Sequence, residues 1–448
     1  MKPNILFLVI DSLRADKCYG KSKTSATPNI DFLIENGAFF NQAICSVAAT
    51  IPSISSIFSA CHPFKIGMGN KSYQKFDSSI RNYIQILKEN SYNVYATAPN
   101  VASEFGLVSD FINKDSTYDN YYSLFAGLGN KIIEKLHSKL FHNPWFFYVH
   151  IFDLHAPVIV PTKFNNENFG KSQYERMVSA IDYWIGKILQ EIDLASTLVV
   201  LTSDHGEYIP LVNTKEGEIN LEPSLTEKHL WKIGNKIPKD LRPLKKKFGS
   251  ILRNSRQKIK SSKINDLNLS NYEKRILLDS RMGSGHRLYD DLIRIPLLFA
   301  GWNIKPKSLF SQQVRAVDIF PTIAELVDIS ILENVDGVSL RPILNGTGYD
   351  EMPAYIESPP TIKSSNKVIG IRTSNYKYIK NTDLDNTELY DLHTDPLEEN
   401  NISRSRRDVV KKMESILINI KTSESEVIKI NEKEREKIEN ILKKLGYS

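Results

Sequence analysis

The residues with the clearest chemical capacity stand at the ends of two apolar runs. Asn4-Ile5-Leu6-Phe7-Leu8-Val9-Ile10 stops at Asp11, and Thr197-Leu198-Val199-Val200-Leu201-Thr202-Ser203 stops at Asp204, followed by His205, Gly206 and Glu207. Two carboxylates and an imidazole form a donor set that suits a hard or borderline divalent cation. Asp is also a common helix N-cap, and capping accounts for either residue taken alone. The two together, with His205 beside one, point to one divalent metal. Its identity stays open among Ca2+, Mg2+ and Mn2+, with Zn2+ also compatible.

A third candidate is Thr50, in Thr50-Ile51-Pro52-Ser53-Ile54. Pro52 and the Ser/Ile run behind it read as the first turn of a helix, with Thr50 at or just before the N-cap. Backbone N–H groups and the helix dipole converge there and favour an anion. The plainer alternative is that Thr50 only caps the helix.

These residues need elements to carry them. An apolar run of strand length without alternation is a strand buried on both faces. In open α/β sheets, ligands sit beyond the carboxyl ends of such strands, which is where Asp11 and Asp204 fall. Helices are predicted from Thr27 to Gly37, from Ser79 to Glu89 and from Tyr174 to Leu194. Strands are predicted at Ala38–Cys45, at Val94–Ala98 and from Pro144 towards His155. This alternation predicts an α/β fold with a doubly wound, mostly parallel central sheet flanked by helices.

From about 208 to 282 the pattern breaks, and Lys245-Lys246-Lys247, Arg253, Arg256, Lys258, Lys260 and Lys263 crowd together. A solvated helical insert is the ordinary reading. A lid, or a basic face for an anionic substrate or a membrane surface, is the functional one. Order returns near Gly285, with a strand ending at Gly301 and a helix around Pro321. Short β-like segments at 354–357, 368–373, 376–380 and 388–392 predict a small antiparallel sheet. A charged tail closes on a helix at 432–445. The expected organisation is a catalytic domain over 1–345 and a small α+β subdomain with C-terminal helices over 346–448.

The chain has 448 residues, 41% of them hydrophobic and 25% charged, with a formal net charge of +6. That is ordinary globular composition, and the modest charge gives no support for a nucleic-acid partner. Its cysteines, Cys18, Cys45 and Cys61, lack the spacing of a disulfide framework or zinc ribbon. No window approaches the roughly twenty apolar residues of a membrane span. The expectation is a cytoplasmic protein without a membrane span, whose basic insert offers a peripheral contact to a membrane.

Taken together and in order, these segments resemble the sulfatase family of the alkaline-phosphatase-like superfamily. The resemblance rests on Asn4 to Asp16, Thr27-Pro28-Asn29-Ile30-Asp31, Gly37 to Ala43, Ser203 to Glu207, Leu288 to Leu297, and Glu388-Leu389-Tyr390-Asp391-Leu392 with Asp395-Pro396. It implies that Asp11, Asp204 and His205 hold the metal, with Ser12 and Thr50 as further ligands. It implies Thr50 as nucleophile, and His155 as a substrate contact that donates to the leaving group. His286 and Arg14 are assigned to the substrate, and Asp153 and His150 are weaker candidates for a second metal.

The chain departs from the family at the nucleophile. Formylglycine sulfatases carry Cys or Ser followed by x-Pro-x-Arg, whereas this chain has Thr50 and, in place of the arginine, Ile54. Threonine has no oxidation route to the aldehyde, so no formylglycine is expected. Relatives that act on phosphate esters or phosphonates attack with threonine. The resemblance therefore implies a metal-dependent hydrolase of phosphate or sulfate esters, small or linked to a glycan or lipid. The alternatives are a phospho-alcohol transferase acting on a surface glycan or lipid, and a non-catalytic binding homologue.

Overall fold

The computed structural model describes residues 2–69, 75–76, 80–120, 123–139, 141–214, 217–224, 261–262, 264, 267–278, 288–359 and 368–422. His286, the basic stretch from Lys245 to Lys260, Lys263, and the expected helix at 432–445 lie outside them.

The central sheet is built on β1 (Asn4–Ile10). Its neighbours are β5 (Trp145–Ile151) on one side and β6 (Thr197–Thr202) on the other, both parallel to it. β2 (Gly37–Ile44), β3 (Asn93–Pro99), β4 (Thr117–Tyr118), β9 (Arg294–Gly301), β10 (Ser308–Phe310) and β11 (Val314–Arg315) complete a sheet of order β10-β2-β9-β6-β1-β5-β3-β4, with β11 beside β2. All pairings are parallel except those of β9, which runs against both β2 and β6. A strand reached from a preceding long insert is not bound to a right-handed parallel crossover, and the apolar run 295–300 alone does not state its direction.

β1 shows why the sheet is buried on both faces. Ile5, Phe7 and Val9 enter one apolar cluster and Leu6, Leu8 and Ile10 enter the other. Successive side chains of a strand point to opposite faces, so an unbroken apolar run needs a layer on each side. The first layer includes α2 (Thr50–Ser59), α3 (Tyr83–Glu89), α4 (Asn100–Glu104) and the helix Ile319–Leu326. The second includes α1 (Pro28–Glu35), α5 (Leu128–Leu136) and α6 (Gln173–Leu189). At about 25 cal/mol per Å2 of apolar surface, these two layers are the main stabilising term.

The helix expected from Ser79 starts later, because Asn82 and Gln85 form a capping box that fixes its first turn at Tyr83. α6 stops at Leu189, short of the expected Leu194. The insert is not helical at its start. Leu211–Thr214 and Gly217–Asn220 form an antiparallel hairpin, β7 and β8, in which Gly217 takes a φ of +129° that favours glycine. Further on, the helix Asn271–Leu278 returns to the sheet domain.

The small sheet, β12 (Ala354–Glu357), β13 (Val368–Arg372), β14 (Tyr376–Asn381) and β15 (Asn386–Asp391), is antiparallel throughout and packs on the helix Arg407–Thr422. It is fastened to the main sheet by buried charge. Lys377, wholly buried, lies 2.5 Å from both Asp290 Oδ1 and Glu398 Oε1. Arg372 lies 3.0 Å from Asp290 Oδ2 and donates to Gln42 and Gln313. Burial would push Asp290 up, but the cations of Arg372 and Lys377 hold it well below the usual carboxylate range. Lys377→Met leaves two buried carboxylates facing one arginine. It is expected to cost about 3–5 kcal/mol, measured as a lower urea midpoint.

Candidate active site

The parallel strands β1, β2, β5 and β6 end at the same edge of the sheet, and that edge gathers the reactive residues. Ile10 pairs with Ile151, and Val9 pairs with both His150 and Thr202. Asp11 and Asp204 therefore emerge side by side. Donor atoms of Asp11, Asp204 and His205 lie within 4.8 Å of one another, and all three residues are buried. No α-helix begins at either aspartate; a turn follows one and extended chain follows the other. Capping is not what these carboxylates do.

Two side chains are pre-set by their neighbours. Asp204 Oδ1 accepts from the N–H groups of His205 (2.8 Å) and Ser12 (3.0 Å). Its Oδ2 is buried and has no hydrogen-bond partner. His205 Nδ1 lies 2.7 Å from the Gly206 carbonyl, so it carries the proton. That leaves the lone pair on Nε2, which is also buried and unpartnered, 3.5 Å from Asp204 Oδ2. An acceptor-only oxygen and an acceptor nitrogen that close together in a dry site call for a cation between them. Burial and the neighbouring Asp11 charge push Asp204 up. Burial acts the same way on Asp11, but His150, His155 and His205 outweigh it and hold Asp11 well below the usual carboxylate range. A divalent cation fits this donor set.

Gly206 makes the arrangement possible. A Cβ there would lie 2.1 Å from the Asp291 carbonyl, and its N–H donates to Leu292. Ser203 Oγ accepts from the Leu13 N–H and donates to the His205 carbonyl, tying the two strand ends together.

Thr50 is the first residue of α2, one position past its N-cap, Ala49. Its Oγ1 donates to Asp11 Oδ2 at 3.0 Å, so the hydroxyl faces the carboxylate cluster and does not cap the helix. Ser53, one turn in, donates to the Asp204 carbonyl at 2.6 Å. Ile54 is fully buried in the apolar layer. Ser12 donates to Asp11 Oδ1 at 2.6 Å and has a left-handed φ of +63°.

The remaining candidates divide. His155 stacks on Phe152, with ring centroids 4.2 Å apart, and its Nδ1 is 3.1 Å from the Ala156 carbonyl. His150 is buried, with Nδ1 2.6 Å from the Tyr148 hydroxyl and Nε2 3.7 Å from Asp11 Oδ2. Asp153 accepts from the Leu124 N–H. Among the described residues these two do not join a second donor cluster. Arg14 is committed elsewhere. Its guanidinium bonds Asp16 through Nε and Nη2, lies 2.7 Å from Asp291 through Nη1, and reaches the Glu207 carbonyl. Every nitrogen of the fork is used, so in this structure Arg14 ties Asp16, Asp291 and the Glu207 carbonyl together. His286 falls outside the described residues.

Three contributors went unseen in the sequence: Ser53, Ser203 and Tyr174, whose hydroxyl reaches the Ser12 carbonyl. Ser53 follows Pro52 and Ser203 precedes Asp204, so their neighbourhood was a signal. Tyr174 offered none.

A mostly parallel α/β sheet with a candidate acid-and-imidazole cation site at its carboxyl edge defines an α/β fold of the kind that carries hydrolases. Comparison with known proteins takes this further. The family profile described as Sulfatase matches residues 3–329, and that described as N-sulphoglucosamine sulphohydrolase, C-terminal, matches residues 279–423. The chain belongs to the sulfatase family of ester hydrolases. It is 25% identical over 276 residues to arylsulfatase K of Gallus gallus, covering 60% of this chain and 50% of that one, so the match spans half the length of this relative. Two solved structures share the fold. One, a complex with its substrate D-glucosamine-2-N,6-O-disulfate, has a TM-score of 0.63 and 17% identity and covers 97% of this chain and 98% of its own. The phosphonate monoester hydrolase of Agrobacterium radiobacter has a TM-score of 0.64 and 16% identity, covering 94% and 96%. No described helix is long and apolar enough to cross a membrane.

Two outcomes are expected. Asp11→Ala and Asp204→Ala each remove a charged oxygen donor and are expected to abolish stoichiometric Mn2+ binding in calorimetry. Asp153 tests a different balance. Burial pushes its carboxyl up from an ordinary 3.8 to about 7, against the pull of the Leu124 N–H. A folded state that holds this proton more tightly than the unfolded chain is stabilised below the unfolded value and loses that stability as pH rises through about 7. Asp153→Asn is expected to flatten the fall in melting temperature between pH 4 and 7; an unchanged slope would contradict the burial argument.

Proposed function

We propose that this chain is a metal-dependent hydrolase of singly charged esters, with Thr50 as the nucleophile, acting on phosphate diesters or phosphonate esters in preference to sulfate esters. The observation that carries the reading is the Thr50 hydroxyl, held 3.0 Å from Asp11 Oδ2 at the mouth of the donor cluster.

Asp11, Asp204 and His205 would hold the cation. When bound it supplies positive charge that lowers the pKa of a nearby hydroxyl and steadies the charge of the ester. Thr50 Oγ1, oriented by its hydrogen bond to Asp11 Oδ2, attacks the central phosphorus or sulfur in line and releases its proton to solvent. The bond to the bridging oxygen breaks, and His155, protonated, gives a proton to the departing alcohol. The N-terminus of α2 stabilises the non-bridging oxygens. Water then opens the threonine ester and restores the hydroxyl.

Two arguments support the preference for phosphorus. A threonine ester lacks the second hydroxyl through which an aldehyde hydrate can expel sulfate, so water must attack the central atom directly, and phosphorus accepts that attack more readily than sulfur. The charge count also limits the substrate. Two carboxylates, Asp11 and Asp204, would balance one divalent cation. A singly charged ester suits such a site better than a dianion. Sulfate is the second reading, favoured by the similarity to arylsulfatase K and by the structural likeness to a protein in complex with its substrate, a disulfated sugar.

The test is a panel of aryl sulfates, phosphate monoesters, phosphate diesters and phosphonate esters, run on the parent and on three Thr50 variants. Thr50→Ala should lose at least about a thousandfold in kcat, on the scale of losing an activated nucleophile, with the fold intact. Thr50→Ser should keep measurable turnover. Thr50→Cys should form no aldehyde without an arginine at position 54. An alanine variant as active as the parent would exclude Thr50 as nucleophile. A parent that turns over only the sulfates would reverse the order of the two readings. Transfer to an added alcohol would indicate the transferase alternative.

A further inference from the structure

We infer that Tyr174 is a positioning residue for the cation site, acting through the backbone turn between Asp11 and Arg14; the inference rests on the proposed reading of Asp11, Asp204 and His205 as cation ligands. Tyr174 is the second residue of α6, 162 positions away from Ser12, in the helix that covers one face of β1. Its hydroxyl is buried and makes two bonds. It donates to the Ser12 carbonyl at 2.6 Å and accepts from the Arg14 N–H at 2.9 Å.

Those bonds clamp a strained turn. Ser12 holds a left-handed φ of +63°, a conformation that L residues other than glycine and asparagine seldom adopt. This twist sends consecutive backbone groups to opposite sides. The N–H groups of Ser12 and Leu13 face the second strand end, bonding Asp204 Oδ1 at 3.0 Å and Ser203 Oγ at 2.9 Å. The Ser12 carbonyl and the Arg14 N–H face the other way, onto Tyr174. The tyrosine therefore holds from outside the same turn that grips Asp204 from inside.

The consequence reaches the cation site. Asp204 Oδ1 is occupied by the Ser12 and His205 N–H groups, and that occupancy leaves Oδ2 pointing, unpartnered, at His205 Nε2. If the turn relaxes out of the left-handed region, the Ser12 N–H leaves Oδ1 and the carboxylate is free to rotate. Asp11, the residue before the turn, moves with it. Tyr174 is itself well anchored. The N–H groups of Gln173 and Tyr174 donate to Glu222, just beyond the β7–β8 hairpin, and Ser172 and Glu175 form a capping box below them. A phenol fixed at both ends can hold a turn that a mobile side chain cannot.

Tyr174→Phe keeps the ring and removes only the hydroxyl. A buried tyrosine elsewhere provides the control: Tyr95 accepts the His142 N–H at 3.2 Å, away from the donor cluster. The full-length chain, stripped of metal, is titrated with Mn2+ by calorimetry, and the melting temperature of each metal-free form is measured alongside. Tyr174→Phe is expected to weaken Mn2+ binding at least tenfold, and Tyr95→Phe less than twofold, with similar small losses in melting temperature for the two. A second variant, Ser12→Gly, relieves the backbone strain. Combined with Tyr174→Phe it is expected to weaken Mn2+ binding by less than Tyr174→Phe adds to the parent, because glycine adopts the turn without the clamp. If Tyr174→Phe binds Mn2+ as tightly as the parent while melting lower, the hydroxyl is structural only and the inference is overturned. If the parent itself binds no Mn2+, the reading of the cation site fails, and the inference fails with it.

Discussion

The constraint on which the structure turns is the placement of two carboxylates side by side in a dry interior. Asp11 and Asp204 are both fully buried, and like charges at such a separation repel strongly where water cannot screen them. Each feature of the surroundings answers that problem in part. Backbone N–H groups converge on Asp204, hydroxyls of Ser12 and Thr50 converge on Asp11, and imidazoles approach from β5 and from the residue after Asp204. What remains after these contacts is the Asp204 Oδ2 oxygen facing His205 Nε2, with His150 Nε2 also unpartnered beside Asp11. The described protein groups do not satisfy the site by themselves, and that shortfall is what makes it a candidate for a cation.

The same constraint explains why the sheet takes the form it does. Asp11 and Asp204 can meet only if β1 and β6 are adjacent, parallel and matched in register, and they are, from Asn4 against Thr197 to Val9 against Thr202. Holding that register at the middle of a wide sheet requires apolar layers on both faces, and the layers in turn bring α2 and α6 to the edge where Thr50 and Tyr174 act. β9 runs against its neighbours, starting at that edge and carrying the chain away from it. The turn before it passes so close to Gly206 that no side chain would fit there. Asp290 and Asp291, in that turn, face two ways: one bonds the small sheet through Arg372 and Lys377, the other pairs with Arg14. The small sheet and the cation site are thus joined by adjacent residues of one short helix.

Much of this was legible in the sequence, and the reasons are physical. Uninterrupted apolar runs ending in acid gave β1, β6 and the donor residues, because burial on both faces leaves no alternation to confuse with a helix. The four short strands after residue 346 were also visible. The contacts that aim the donors were not. Tyr174 and Ser12 are separated by 162 positions, and nothing in either local sequence announces the other. Arg14 shows the same cause: a basic residue beside a candidate site reads as an anion contact, and its partners Asp16 and Asp291 come into view only in the fold. The hairpin at 211–220 was hidden by the charged residues at its turn, which resemble the solvated helix expected there.

The departure at position 54 bears on how the site handles an anion. Ile54 is fully buried in the apolar layer beneath α2, with Ile51, Ile57 and Phe58. An arginine there would need to bring its guanidinium out of that layer or find a buried acid to pair with, and α2 has no acidic residue in its first turn. The helix has instead become apolar on its inner side and hydroxyl-bearing at its start, with Ser53 spent on the Asp204 carbonyl. On the proposed reading the means of holding an ester oxygen near Thr50 are the helix N-terminus, His155 and the cation. Backbone N–H groups discriminate by geometry more than by charge, so on that reading selectivity between phosphorus and sulfur rests on the nucleophile's chemistry and on the fit around it. On that reading, a chain with Ile54 in the arginine's place and Asp11, Asp204 and His205 present would bind the anion differently from the formylglycine members and activate the attack in the same way.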